Sequence, residues 1–148
     1  MIPDTADRVE QNSPDEANRK IQSGIQNSVR WHADNPSRIP ARLRELDREW
    51  DIERTLEANA ATLSLAGVVL GATVDKRWLV LPALVTTFLL QHAVQGWCPP
   101  LPILRSMGVR TTREIDTERA ALKALRGDFA NVQAAQDRPA AALQAALK

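Results

Sequence analysis

Two uncharged stretches decide the fold of this chain: ANAATLSLAGVVLGATV at residues 58–74 and WLVLPALVTTFLLQHAVQGW at residues 78–97. As helices rising 1.5 Å per residue, they would be roughly 25 Å and 30 Å long, which suits the hydrocarbon core of a bilayer. Only Asp75, Lys76 and Arg77 separate them, so the sequence predicts two transmembrane spans joined as a helical hairpin. The alternative is a buried αα-hairpin of a soluble protein, but a chain of 148 residues has little other apolar surface to cover both helices.

Aromatic and basic residues predict how the hairpin lies in the bilayer. Trp78 and Trp97 bracket the second span and are candidate interface anchors, because tryptophan favours the headgroup layer. Arginines are frequent just before the first span and just after the second, whereas the connection offers only Lys76 and Arg77. The positive-inside rule then places both termini in the cytoplasm. The predicted location is a bacterial inner membrane, crossed twice.

The remaining sequence predicts an all-α protein whose transmembrane hairpin is flanked by cytoplasmic amphipathic helices. One apolar seam runs along Ile39, Leu43, Leu46 and Trp50 at helical spacing. The predicted segments are a flexible arm (1–16), cytoplasmic amphipathic helices (17–55), the transmembrane hairpin (56–97), an interfacial Cys-Pro-Pro segment (98–110), a cytoplasmic amphipathic helix (111–130) and an Ala-rich tail (131–148). The tail is either a loose helix or disordered, and is broken at Pro139.

Composition argues against several classes of function. The net charge of +1 gives no field that would attract nucleic acid. A single cysteine forms no internal disulfide, and the first residues lack the features of a cleaved signal peptide. The sequence contains no Gly-rich phosphate loop and no Ser/His/Asp arrangement. We therefore expect no conventional enzyme, no cofactor, no metal and no nucleic-acid partner.

Small residues in the first span predict close helix packing. Gly67 and Gly71 form the segment GVVLG, and two glycines four residues apart let another helix approach closely. The approaching helix is either the second span or a span of another protomer. A homodimer through the transmembrane helices is therefore one of the two open interpretations.

Polar side chains near the cytoplasmic end of both spans form a candidate intramembrane stripe. Its members are Asn59, Thr62, Thr87, Gln91, His92 and Gln95. In a hairpin Asn59 and Thr62 face the level of Gln91, His92 and Gln95, which predicts hydrogen bonds between the helices there. The alternatives are a path for a small anion or a proton, or a haem or metal ligand at His92. A ligand role lacks a second ligand at close spacing, since Cys98 follows a helix end and His32 is remote.

Cys98 is the candidate functional thiol, and three roles remain open for it: it is acylated, it accepts a sulfur atom, or it only packs. Gly96, Trp97, Pro99 and Pro100 are explained by a helix that ends at the membrane surface. That account does not require a cysteine. The C-terminal dipole of the helix disfavours a thiolate, and Arg105 would oppose this effect only if the following segment folds back.

The segment QGWCPPLPILRSMGVRT after an apolar hairpin resembles the YgaP-like transmembrane domain over roughly Ile52 to Val109. The shared elements are the Gly-x-Cys-Pro helix end, here Gly96 to Pro99, and the following Leu-Arg-x-x-Gly. The resemblance implies a bacterial inner-membrane protein that tends to dimerise through its helices. In the namesake the hairpin is joined to a rhodanese domain. This chain has neither that domain nor a second cysteine, so the resemblance does not carry sulfurtransferase activity over to it.

Two functions are predicted from these observations. The first is a non-enzymatic module, anchored in the lipid bilayer, that self-associates or binds an unknown cytoplasmic protein through its amphipathic helices. The second is a membrane component of sulfur or thiol handling that uses Cys98 as an acceptor or the polar stripe as an anion path. Substitution of Cys98 distinguishes them, because only the second requires the thiol.

Overall fold

The computed structural model describes residues 7–147 and contains no strand in that range, so the predicted all-α class is confirmed. In chain order the helices are α1 Arg8–Gln11, α2 Asp15–Asp34, α3 Ile39–Leu46, α4 Ile52–Thr73, α5 Val80–Gln95, α6 Leu101–Ser106, α7 Thr112–Arg126 and α8 Arg138–Leu147. Short 3-10 turns at Pro36–Arg38 and Lys76–Leu79 lead into α3 and α5.

The chain divides into two compact units. The first contains the described residues up to Ile21 together with Trp50–Arg113. The second contains Gln22–Glu49 and the described residues from Glu114 onward. Both long apolar helices and the Cys-Pro-Pro segment belong to the first unit.

Helices α4 and α5 pack against each other in opposite directions, with the turn at Lys76–Leu79 between them. Gly67 and Gly71 lie at a close approach between α4 and the segment that follows it. A Cβ atom on Gly67 would lie 2.4 Å from Pro82 Cδ, and one on Gly71 would lie 2.7 Å from Leu79 Cδ2. Of the two interpretations left open by the sequence, the structure therefore places the second apolar segment of the same chain against both glycines. A homodimer stays a prediction.

The outward faces of α4 and α5 are apolar and exposed. Within their most apolar 18-residue stretches, 17% of Ile52–Thr73 and 6% of Lys76–Gln95 is buried. Large side chains that stand in the open include Leu65, Val69, Leu84 and Leu90. Such a continuous apolar surface differs from the scattered apolar residues found on ordinary soluble proteins.

Helix α4 begins earlier than the uncharged stretch. Asp51 caps it, because its Oδ1 accepts a hydrogen bond from the Arg54 N–H at 2.8 Å. The Ile52 N–H donates to the Arg110 carbonyl at 2.8 Å, which fixes the start of the helix against the segment before α7. The predicted seam through Trp50 is wrong at its last residue. Helix α3 ends at Leu46, and Trp50 lies outside any helix because the capped α4 starts at Ile52.

The chain termini also differ from the predictions. Residues 1–6 lie outside the described residues, but residues 7–16 are not a flexible arm: they contain α1, the buried Val9 and the start of α2. In the tail, Pro139 does not break a helix. It lies in the first turn of α8, where proline is tolerated because the first N–H groups need no intrahelical acceptor. The predicted helix 111–130 is shorter in the structure, because α7 ends at Arg126, before Gly127 with its left-handed φ of 87°.

The second unit has its own core and a buried ion pair. Its apolar cluster is Ile39, Leu43, Leu46, Ile115 and Leu122. The carboxylate of Glu118 is buried and accepts hydrogen bonds from Arg42 Nε at 2.9 Å and from Ser28 Oγ at 2.6 Å. The hydrogen bond to Glu118 raises the pKa of Arg42 above its ordinary value. The ion pair therefore joins α3 to α7, and the hydrogen bond from Ser28 adds α2, all within the second unit.

Candidate functional site

The chain reverses direction sharply where α5 ends. Gly96 has a φ of 76°, and its N–H donates to the His92 carbonyl at 2.7 Å. A Cβ atom on Gly96 would lie 2.8 Å from the Arg8 carbonyl oxygen. The site therefore needs glycine both for its left-handed backbone and for the close approach of α1. This reversal brings Cys98 back toward the helix that it has just left.

Cys98 is part of the core of the first unit. Its side chain is 3% exposed and packs in a cluster with Val9, Ile52, Leu56 and Leu101. Arg105 is also buried, but it donates to Asn18 Oδ1 at 2.7 Å and to the Val109 carbonyl at 3.1 Å. The surroundings of the thiol are therefore mainly aliphatic.

His92 joins the thiol to a carboxylate. Its ring is 2% exposed, and Nε2 forms a hydrogen bond of 3.1 Å with Glu53 Oε2. Because a carboxylate accepts, Nε2 carries the proton in this bond, and in the neutral ring Nδ1 then bears a lone pair. Nδ1 is buried without a conventional hydrogen-bond partner, and the ring interacts with the Cys98 thiol. The thiol contacts the imidazole, and the imidazole in turn contacts the carboxylate.

Arg8 completes this arrangement. Its Nη2 forms an ion pair with Glu53 Oε1 at 3.1 Å, and its Nη1 donates to the Ala93 carbonyl at 3.0 Å. One guanidinium thus connects α1, α4 and α5. Because Arg8 holds Glu53, and Glu53 holds Nε2 of His92, the orientation of the imidazole beside Cys98 is fixed by two successive contacts.

A partly open cavity of about 440 Å³ lies beside the thiol. Its walls come from α4, α5 and the segment around α6, and they are almost entirely aliphatic or aromatic carbon. Among the residues that line it are Leu56, Ala60, Phe88, Leu104 and Cys98 itself. Pockets of roughly 300–1,000 Å³ with apolar walls and few polar groups are typical of small-molecule sites.

Two members of the predicted polar stripe lie at this site, since Asn59 lines the cavity and His92 interacts with the thiol. Asn59, Thr62 and Thr87 each donate a side-chain hydrogen bond to the carbonyl four residues earlier in their own helix. These three bonds lie within a helix, whereas the sequence predicted bonds between the helices. Gln95 is exposed, and its backbone carbonyl accepts from Asn12 Nδ2 at 3.1 Å. Of the six predicted residues, His92 is the one that the structure brings into contact with Cys98.

Sequence reasoning missed the two charged members of the arrangement. Glu53 precedes the uncharged stretch and Arg8 lies in the predicted flexible arm, so neither was expected to contact the second span. One available signal was the capping carboxylate Asp51, which predicts an earlier start of α4 and so places Glu53 on its first turn. Within residues 7–147 no group of three or more His, Cys, Asp and Glu side chains is arranged to hold a metal ion.

Comparisons with protein-family models, with curated proteins and with solved structures found no match to this chain. The class of protein is therefore described from the structure alone. It is an all-helical protein with two helical segments, Ile52–Thr73 and Lys76–Gln95, that are long and apolar enough to cross a membrane.

Proposed function

We propose that this chain is an integral protein of a bacterial inner membrane that spans the bilayer twice as a hairpin and presents its other helices in the cytoplasm for self-association or protein binding. The observation that carries the proposal is the exposure of the apolar faces of α4 and α5. A soluble helix pair of this composition would bury most of that surface, whereas lipid covers it in a membrane protein. The resemblance to the YgaP-like family agrees with this location.

The distribution of basic residues supports the proposed orientation. Five arginines lie in the twenty residues before Ala58 and three in the twenty after Trp97, whereas the connection has Lys76 and Arg77. Such an excess favours the cytoplasmic side for both flanks. The amphipathic helices α2, α3 and α7 would then share one aqueous compartment, where a cytoplasmic partner can reach them.

Reporter fusions test location and orientation together. We expect the protein to resist alkaline carbonate extraction. A reporter that is active only in the cytoplasm should be active when fused to either terminus, and a reporter that is active only outside the cytoplasm should be active when inserted at residues 75–77. These results follow from an even number of spans and from the charge distribution. Extraction into the soluble fraction would contradict membrane insertion. Reporters that place the two termini on opposite sides of the membrane would contradict the hairpin.

One observation favours thiol handling as a second candidate function, namely the contact between Cys98 and an oriented His92. An anion path through the polar stripe has less support, because Asn59, Thr62 and Thr87 bond to their own helices. An acceptor role at Cys98 therefore has more support than transport.

Substitution of the thiol tests this second candidate. If Cys98 is an acceptor, Cys98→Ser is expected to abolish handling of sulfur anions by cells while leaving the amount of protein in the membrane fraction unchanged, since serine is a similar size but a poor nucleophile at neutral pH. Unchanged handling in a strain that expresses Cys98→Ser at the wild-type level would contradict it.

A further inference from the structure

The thiol, the imidazole and the apolar cavity meet at one place in the first unit. Cys98 lines the cavity and contacts His92, whose other ring nitrogen is bonded to Glu53. We infer that Cys98 is an S-acylation site: its thiol takes a long-chain acyl group from an acyl thioester, and the acyl chain then lies in the cavity between α4, α5 and α6. This inference goes beyond membrane anchoring and names a substrate class for the thiol candidate.

The imidazole supplies what an isolated buried cysteine lacks. A thiol reacts as its thiolate, and an apolar environment disfavours that charge. The His92 side chain is 2% exposed, and its Nδ1 has no conventional hydrogen-bond partner. In the neutral ring this nitrogen bears the lone pair that can take the thiol proton. Glu53 keeps the ring from rotating away through its 3.1 Å contact with Nε2, and Arg8 in turn holds Glu53 through an ion pair of 3.1 Å. A thiol beside an oriented imidazole is the arrangement that activates cysteine nucleophiles.

The cavity selects the chain of the substrate. Its volume of about 440 Å³ and its walls of Leu56, Leu63, Phe88 and Leu104 suit a flexible hydrocarbon. Each methylene that leaves water for such walls favours binding about fourfold. A short acyl group would leave most of the cavity empty and would gain little of this affinity. The site should therefore favour long acyl chains over acetyl.

The reaction is a thioester exchange and needs no oxidant or reductant. The proton of the Cys98 thiol passes to His92, and the sulfur attacks the carbonyl carbon of the acyl thioester. A new carbon–sulfur bond forms at Cys98 while the carbon–sulfur bond of the donor breaks. The donor leaves as a thiolate and takes the proton back from His92, so that S-acyl cysteine and a free donor thiol are the products.

The decisive experiment measures acyl transfer to the purified full-length chain in detergent micelles. With palmitoyl-coenzyme A as the probe, we expect intact-mass spectra to gain one palmitoyl group that hydroxylamine removes, and peptide mapping to place it on Cys98. The variant Cys98→Ser should gain none. His92→Gln should slow the transfer roughly 100-fold or more, which is typical for loss of a general base.

A cavity variant separates the proposed chain binding from general thiol reactivity. Ala60 is half-buried in the cavity wall, and Ala60→Phe should fill part of the cavity. Displacing two or more methylenes of the chain should slow palmitoyl transfer about tenfold. Transfer from acetyl-coenzyme A to the same variant should be slowed much less, because an acetyl group occupies little of the cavity. This comparison, like that of the two donors on the wild-type chain, does not depend on whether His92→Gln folds.

Three results would overturn the inference. They are the absence of a palmitoyl adduct on wild-type Cys98, equal rates for palmitoyl and acetyl donors, and wild-type rates in a folded His92→Gln chain. Because the inference rests on the thiol candidate only through its use of Cys98, the two can fail separately. Loss of sulfur-anion handling in Cys98→Ser cells without any acyl adduct on the wild-type protein would leave thiol handling standing and overturn acylation.

Discussion

Replacing Gly67 with leucine is expected to force α4 and α5 apart and to destabilise their packing by more than about 3 kcal/mol. Even the first atom of a side chain does not fit, since a Cβ there would lie 2.4 Å from Pro82 Cδ and 3.2 Å from Leu81 Cβ. A proline ring has no alternative rotamer that would move Cδ away. The backbone of one helix must therefore shift, which also removes contacts along the rest of the pair. Gly67→Ala should cost about 1–3 kcal/mol by the same mechanism.

The measurement is thermal unfolding of the full-length protein in detergent, followed by circular dichroism, with Gly24→Ala as the matched control. Gly24 lies within α2, and a Cβ there would have no atom within 4 Å. Alanine at that position should stabilise the helix by up to about 1 kcal/mol, because glycine is a poor helix former. A Gly67→Leu chain that melts like the wild type but no longer forms dimers would show that the glycines serve another protomer, contrary to the structure.

The sequence predicted the apolar helices well because their signal is compositional. Residues 58–74 and 78–97 are uncharged over lengths that few structures other than long apolar helices accommodate. The glycines of GVVLG likewise predicted close packing from local sequence. Which helix they contact depends on the chain reversal at Lys76–Leu79, so spacing alone left two interpretations open. The structure brings residues 79–82 of the second apolar segment against them.

The candidate site was less predictable because its members are joined by tertiary contacts. On a continuous helix, residues 92 and 98 would point about 120° apart around the axis. They meet only because Gly96 turns the chain back. Glu53 reaches His92 from the opposite helix, and Arg8 arrives from a segment that composition marked as flexible. Val9 makes that segment ordered, since it is buried among Ile52, Leu56 and Leu101. One apolar residue in a polar stretch is a weak signal in a single sequence.

A lysine at Leu65 is expected to distinguish membrane insertion from a soluble fold more sharply than any other single substitution. Leu65 lies near the middle of the first uncharged stretch, and 66% of its side chain is exposed. In water, exchanging an exposed leucine for lysine changes stability by no more than about 0.5 kcal/mol. At the centre of a transmembrane helix, a lysine costs roughly 2.5–3.5 kcal/mol of insertion free energy. The same substitution is thus nearly neutral in one environment and severe in the other.

The readout is the fraction of newly made protein that resists carbonate extraction, compared between Leu65→Lys and Leu143→Lys. Leu143 is a close match, because it is 62% exposed and lies within α8, outside both apolar segments. Leu65→Lys should lower the inserted fraction strongly, since each 1.4 kcal/mol changes an equilibrium tenfold. Leu143→Lys should leave it unchanged. Equal behaviour of the two variants, or better solubility of Leu65→Lys without loss of fold, would mean that water or another protein covers the exposed face of α4 and that the hairpin does not lie in lipid.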